Sequence, residues 1–185
     1  LKASDDWLQF ALDLPMASDP GKVWNYNNAF TYILSGIITE LTDMTALDYA
    51  SEKLFAPLGI AKPVWFDSPD GLTFGYAGLQ LTPRDMAKIG YLYLNHGMWD
   101  GQQIIPVEYA DAALANQIRT PWPDSVFGYQ FWRFESLNVS FALGHGGQYI
   151  MLFPDKDMML IATGGMDELF RFLFQAAPMA AAASG

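Results

Sequence analysis

Two short clusters of chemically competent side chains stand about 120 positions apart, Tyr26-Asn27-Asn28 and His145-Gly146-Gly147-Gln148. In acyl transfer a weakly acidic hydroxyl loses its proton as it attacks, and a neighbouring group must take that proton and return it to the leaving group. A tyrosine can serve if nearby cations lower its pKa, which makes Tyr26 a candidate base. Asn28, two residues on, can donate an amide hydrogen bond to a substrate carbonyl. In the second cluster Gly146 and Gly147 let a substrate approach the backbone closely, so that an acyl group could add to the strand edge. His145 would add a partly positive, pH-dependent side chain, and the backbone N–H of Gln148 is a candidate oxyanion donor. Each cluster also has a plain structural reading. Tyr26 is one of nine tyrosines and could merely pack, and the second cluster could be a glycine-rich hairpin with an exposed histidine. His96, before Gly97, reads as a loop or capping histidine.

The elements that must position these residues follow from periodicity. Ser4-Asp5-Asp6 starts a helix that presents Trp7, Phe10, Ala11 and Leu14 on one face before Pro15 stops it. The turn residues Ser18-Asp19-Pro20-Gly21 deliver the chain to Tyr26. Beyond Asn28, apolar Phe30, Ile33, Leu34, Ile37, Ile38 and Leu41 recur at three and four, predicting an amphipathic helix anchored by that stripe. Thr45 with Asp48 caps another helix ending before Pro57, and residues 60 to 81 look irregular. Thr82-Pro83-Arg84-Asp85 is a strong helix start, with Met86, Ile89, Gly90 and Tyr93 as its buried stripe. Pro106 opens a helix running to Gln117. The period then changes to two, predicting strands at 128–134, 138–144, 149–153 and 158–163 in an antiparallel meander. A last helix is expected from Asp167 to Ala177, with residues 178–185 fraying.

Composition narrows the classes of function. The 185 residues are 51% apolar and 15% aromatic, enough for a sizeable core in one domain, 1–185, of α+β class. A net charge of −10, with ten basic residues scattered singly, argues against gripping nucleic acid. No apolar run approaches the roughly 18 residues of a membrane span. No His, Asp and Glu grouping has metal-ligand spacing and no Gly-rich loop precedes Lys-Ser or Lys-Thr, so neither metal nor cofactor is expected. The methionines read as core filler.

The order of Leu12-Asp13-Leu14-Pro15, Trp24-Asn25-Tyr26-Asn27-Asn28, Phe55-Ala56-Pro57-Leu58-Gly59, Leu81-Thr82-Pro83-Arg84-Asp85-Met86 and Gly144-His145-Gly146-Gly147-Gln148-Tyr149 closely resembles the serine β-lactamase-like and penicillin-binding-protein-like hydrolases. The likeness reaches to about residue 175. The third motif is His-Gly-Gly where a class C β-lactamase has Lys-Thr-Gly, so the chain looks more like the family's esterases and 6-aminohexanoate-dimer hydrolases. The resemblance implies an antiparallel sheet flanked by helices and a small ester or amide substrate. It implies Tyr26 as the catalytic tyrosine, Asn28 as its companion, His145 as the third-motif side chain and Gln148 as oxyanion donor, and it suggests a periplasmic or extracellular setting. The family's nucleophile lies in a Ser-x-x-Lys motif, and no serine here has a lysine three residues on. The chain therefore reads as the carboxyl-terminal part of such a domain, inactive alone, with a core face and a sheet edge uncovered for self-association or for pairing with the missing amino-terminal segment. The alternative is a non-catalytic module that keeps the pocket for binding.

Overall fold

The computed structural model describes residues 4–164. The chain divides into two compact units, one up to Leu81 and one from Thr82. The helix expected at Asp167–Ala177 and the tail 178–185 lie outside the described residues. No helix among the described residues is long and apolar enough to cross a membrane.

The first unit is helical. Helix α1, Trp7–Leu12, is capped by Asp6, whose carboxylate accepts the Gln9 N–H at 2.8 Å. Helix α2 spans Asn28–Thr42 and α3 spans Ala46–Ala50, continuing into a wider π turn, Ser51–Phe55. Thr45 caps α3 as the sequence predicts, accepting the Asp48 N–H at 3.1 Å. Residues 60 to 81 form no regular element. They fold back on themselves through the bridges Val64↔Gln80 and Asp67↔Thr73.

Helix α2 does not bury the stripe that its sequence advertises. Phe30 is 66% exposed and Leu41 77%, with Leu34 and Ile37 also exposed, whereas Ala29, Tyr32, Ser35 and Gly36 are buried. Proximity explains the inversion. A Cβ on Gly75 would lie 2.2 Å from the Thr31 carbonyl oxygen, and one on Gly36 would lie 3.0 Å from a Leu8 methyl. Only the face that carries Ala29, Ser35 and Gly36 beside Tyr32 lets the loop and α1 come this close, as at other tightly packed helix surfaces. Within this unit α2 therefore turns its compact face inward and its bulky apolar face outward.

A hydrogen-bonded knot ties that inward face to the loop. The Asp70 carboxylate accepts the backbone N–H groups of Trp7 and Leu8 through Oδ2, at 3.0 and 3.1 Å. Its Oδ1 takes the hydroxyls of Tyr32 and Ser68. Thr73, fully buried, accepts the Leu47 N–H at 3.3 Å near the start of α3 and donates to Asp67. Trp7 stacks on Phe74 at 5.3 Å between ring centroids, and Phe74 on Tyr76 at 5.4 Å. Burial would raise the Asp70 carboxyl, but the bonds from Ser68, Tyr32, Leu8 and Trp7 together hold it below the usual range. Burial, helped by Asp70, drives the Tyr32 phenol well above its ordinary value.

The described residues of the second unit form a six-stranded antiparallel sheet with helices. Helix α4, Pro83–Leu94, has Thr82 at its cap, accepting the Asp85 N–H and donating to the Asp85 carboxylate at 2.7 Å. A small hairpin, β1 Met98–Trp99 and β2 Gln102–Gln103, leads to α5, Val107–Leu114. Strands β3 Ile118–Arg119, β4 Ser125–Phe127, β5 Trp132–Phe134, β6 Val139–Gly144, β7 Gln148–Phe153 and β8 Met158–Ala162 then pair in chain order. The meander predicted from alternation is present, with two further short strands, β3 and β4. Helix α5 ends at Leu114 rather than Gln117, because the Ala113 carbonyl is taken by Tyr129 N–H at 3.0 Å and Gln117 already pairs with Phe127. Strand β7 is buried on both faces. Ile150 and Leu152 pack with Met86, Ile89 and Tyr93 of α4, while Tyr149 and Met151 join Val139 and Phe141 on the other side.

Two outcomes follow. Gly75→Ala should destabilise the protein by about 1–3 kcal/mol, because the carbonyl it meets is backbone and cannot swing away, whereas Leu41→Gln should change stability by no more than ~0.5 kcal/mol; urea midpoints separate them. For Asp70 the folded pKa is lowered, so its contribution is present at neutral pH and lost as pH falls below the unfolded carboxylate value of about 4. The difference in urea midpoint between wild type and Asp70→Asn should be widest at pH 7 and shrink as the pH is taken from 5 to 3.

Candidate active site

Tyr26 lies in the segment that enters α2, and Asn28 is the first residue of that helix. Between them Asn27 is the cap: its side-chain oxygen accepts the Ala29 N–H at 2.9 Å and its carbonyl accepts the Phe30 N–H. Capping by the middle residue turns the two flanking side chains outward. Tyr26 is 54% exposed and its ring lies 6.3 Å from that of Trp24, while Asn28 is also exposed. A phenol and a primary amide thus stand on a short segment whose downstream end is fixed by the helix, which is how a base and a carbonyl-binding donor need to be held.

His145, Gly146 and Gly147 form the three-residue connection between β6 and β7, whose last register pair is Gly144↔Gln148. Gly146 has φ 76° and Gly147 φ 82°, left-handed values that demand glycine in so tight a turn. His145 is exposed, whereas Gly147 is buried. Gln148 opens β7, and its side-chain amide reaches back towards the Gly146 carbonyl at 3.4 Å. The turn presents an imidazole on a bare backbone. A neutral imidazole can exchange a proton or accept a hydrogen bond, and a protonated one attracts a carboxylate or a polarised carbonyl.

The structure therefore brings Tyr26 together with Asn28 on one segment of the first unit, and His145, Gly146, Gly147 and Gln148 on one turn of the second. A cavity of about 550 Å³ in the second unit is lined instead by other residues, among them Tyr93, His96, Asp111, Asn116, Arg133 and Asp157. It lies at the ends of β6 and β7 remote from the glycine turn, next to Asn138 and Pro154. His96 closes α4 there and its Nδ1 lies 2.6 Å from Asp111, consistent with a helix-end role. Burial, with Tyr109 adding to it, pushes the Tyr93 phenol up to about 12. Among the described residues no group of three or more His, Asp and Glu could hold a metal ion.

Sequence reasoning missed two residues. Asn27 as cap was readable, since Asn directly precedes the helical period. The role of Asp70 was not: Ser68-Pro69-Asp70-Gly71 spells a turn and says nothing of Tyr32, 38 positions away.

Known proteins resemble the chain in sequence and in fold. The family model described as Beta-lactamase matches residues 1–164. The 6-aminohexanoate-dimer hydrolase of Paenarthrobacter ureafaciens is 26% identical over an alignment of 151 residues that covers 75% of this chain and 38% of that protein. Among solved structures, a candidate 6-aminohexanoate-dimer hydrolase of Bacillus anthracis superposes with TM-score 0.82 at 22% identity, covering 96% of this chain and 48% of that one. A penicillin-binding protein of Bacillus halodurans gives 0.66 at 18% identity, over 96% and 62% of the two chains. The chain thus spans about half or less of the first two relatives' length.

The turn allows a direct separation of folding from chemistry. Gly147→Ala should cost about 1–2 kcal/mol, the strain of a left-handed alanine. His145→Ala, at an exposed position, should leave the urea midpoint within ~0.5 kcal/mol of wild type. Equal losses in the two variants would show that the imidazole is part of the fold.

Proposed function

Because the chain belongs to the β-lactamase family and has that family's α+β, transpeptidase-like fold, we propose that it is the carboxyl-terminal part of a single serine-hydrolase domain that opens an ester or amide bond through an acyl-enzyme. Tyr26 is the base in this reading, Asn28 the amide that orients the substrate carbonyl, His145 the third-motif side chain, and Gly146, Gly147 and Gln148 the strand edge and oxyanion donor. The observation that carries it is the capped entry to α2, which holds Tyr26 and Asn28 outward on a segment whose Tyr26-Asn27-Asn28 run resembles the family's active-site tyrosine element.

The chemistry runs as follows. A serine hydroxyl attacks the scissile carbonyl while Tyr26, as general base, takes its proton. The carbonyl oxygen becomes an oxyanion held by N–H donors, among them Gln148. Collapse breaks the bond to the alcohol or amine, which leaves with the proton returned by Tyr26, and water then releases the acyl group by the same steps in reverse order. The attacking serine and its lysine are supplied from outside this chain, which contains no Ser-x-x-Lys. Support for such a pairing comes from the outward apolar face of α2 and from β8, one of the two outer strands of the sheet among the described residues. The name of the Paenarthrobacter relative makes the 6-aminohexanoate dimer the first amide to test.

The missing motif also favours a second reading, a non-catalytic module that binds an ester or amide without cleaving it. An activated ester distinguishes them. The chain by itself should give no burst of product, and adding a Ser-x-x-Lys-bearing amino-terminal segment from a relative should restore turnover, with Tyr26→Phe lowering kcat by about 10²–10⁴-fold. A burst from the chain unaided, lost in Tyr26→Phe, would overturn the division of labour. Ester binding with no turnover in the reconstituted protein would establish the module instead.

A further inference from the structure

Asp70 serves two elements with its two oxygens. Oδ2 holds the first N–H groups of α1, and Oδ1 receives the hydroxyls of Tyr32 and Ser68. Tyr32, with no exposed surface, stands one helical turn beyond the exposed Asn28, its i,i+4 neighbour along α2. The turn between them, Asn28–Thr31, is confined further by Gly75, which abuts the Thr31 carbonyl, and by the Asn27 cap. The rotation and height of this turn are therefore set from the loop side. Ser68 and Leu72 stiffen that side, since the Ser68 N–H donates to the Leu72 carbonyl at 2.8 Å and the Gly71 N–H to the Ser68 carbonyl at 2.9 Å.

We propose that Asp70 is a positioning residue for the Tyr26–Asn28 segment, acting through Tyr32 to fix the place at which the Asn28 amide and the Tyr26 hydroxyl are presented. The assignment rests on the reading of Tyr26 and Asn28 as site residues. It also explains why a carboxylate occupies this position. Four donors converge on two oxygens, and only an ionised carboxylate accepts from all of them. An asparagine keeps one acceptor oxygen for the backbone N–H groups of Trp7 and Leu8, which cannot turn away, and presents its NH₂ to the hydroxyls. Tyr32 must then accept from that NH₂ and turn its own proton to Ser68 Oγ, whose hydroxyl donates to the Leu72 carbonyl, so the direct bond that Tyr32 donates to residue 70 is lost. Phenylalanine at 32 cuts the same link from the other end and leaves α1 anchored.

Asp70→Asn and Tyr32→Phe should consequently disturb the same distant atoms. In nitrogen- and carbon-labelled protein, both should shift the Asn28 side-chain amide and Tyr26 ring resonances. Phe55→Leu, a core substitution in the same unit, should leave them in place at matched loss of stability. If Asp70→Asn does not fold, Ser68→Ala removes one of the four donors and should give a smaller shift in the same direction. In protein reconstituted with a Ser-x-x-Lys-bearing segment, Tyr32→Phe should lower kcat at least tenfold with KM within twofold, as expected when reacting groups are misplaced rather than lost. Unmoved Asn28 and Tyr26 resonances in both variants, or equal shifts in Phe55→Leu, would overturn the proposal. Absence of turnover in reconstituted wild type would instead remove the catalytic reading of the site, and the resonances would still decide whether Asp70 positions the segment.

Discussion

The hydrogen bonds that Asp70 and Thr73 accept from the first turns of α1 and α3, and that Asp70 accepts from Tyr32 on α2, make residues 66–76 the point on which three helices depend. Helix α2 turns little apolar surface inward, since it buries alanine, serine, glycine and one tyrosine. What the loop offers in exchange is directional: buried acceptors matched to donors that would otherwise be orphaned at helix starts. Directional bonds fix rotation as well as distance, which burial of a smooth apolar stripe does not.

The second unit is held in the opposite way. Its central strand β7 is buried on both faces, and α4 lays Met86, Ile89 and Tyr93 against Ile150 and Leu152. Gly90 allows this, since a Cβ there would come within 3.0 Å of an Ile150 methyl. The glycine turn at 145–147 is then the free end of a rigid hairpin. In the proposed reading, a substrate edge added there would meet backbone that its neighbours have already placed, with little left to order on binding.

Much of this was legible. Thr82-Pro83-Arg84-Asp85 and Thr45 with Asp48 named their caps because a cap is a local signal, and the alternation of Val139, Phe141 and Leu143 named its strand. The short strands β3 and β4 were lost because two or three residues carry no period. The direction of α2 was misjudged for a different reason. A stripe of Phe30, Leu34, Ile37 and Leu41 announces that a helix has an apolar side, but which side meets this unit's own loop is decided by Gly75 and Gly36, where the approach is closest. The motifs Tyr26-Asn27-Asn28 and His145-Gly146-Gly147 were visible as order along the chain, while Asp70 was invisible because its partners are 38 and more than 60 positions away.

The sheet of the second unit pairs its six strands strictly in the order in which they occur. Each new strand closes a loop of only a few residues against the one before it, so the chain entropy lost at each step is small and nearly constant. Such a sheet has low contact order and can grow by successive hairpins as the polypeptide emerges, with β7 receiving its second partner as soon as β8 is made. Its topology allows assembly as a progression along the sequence, in which the turn that bears His145 closes before β8 pairs.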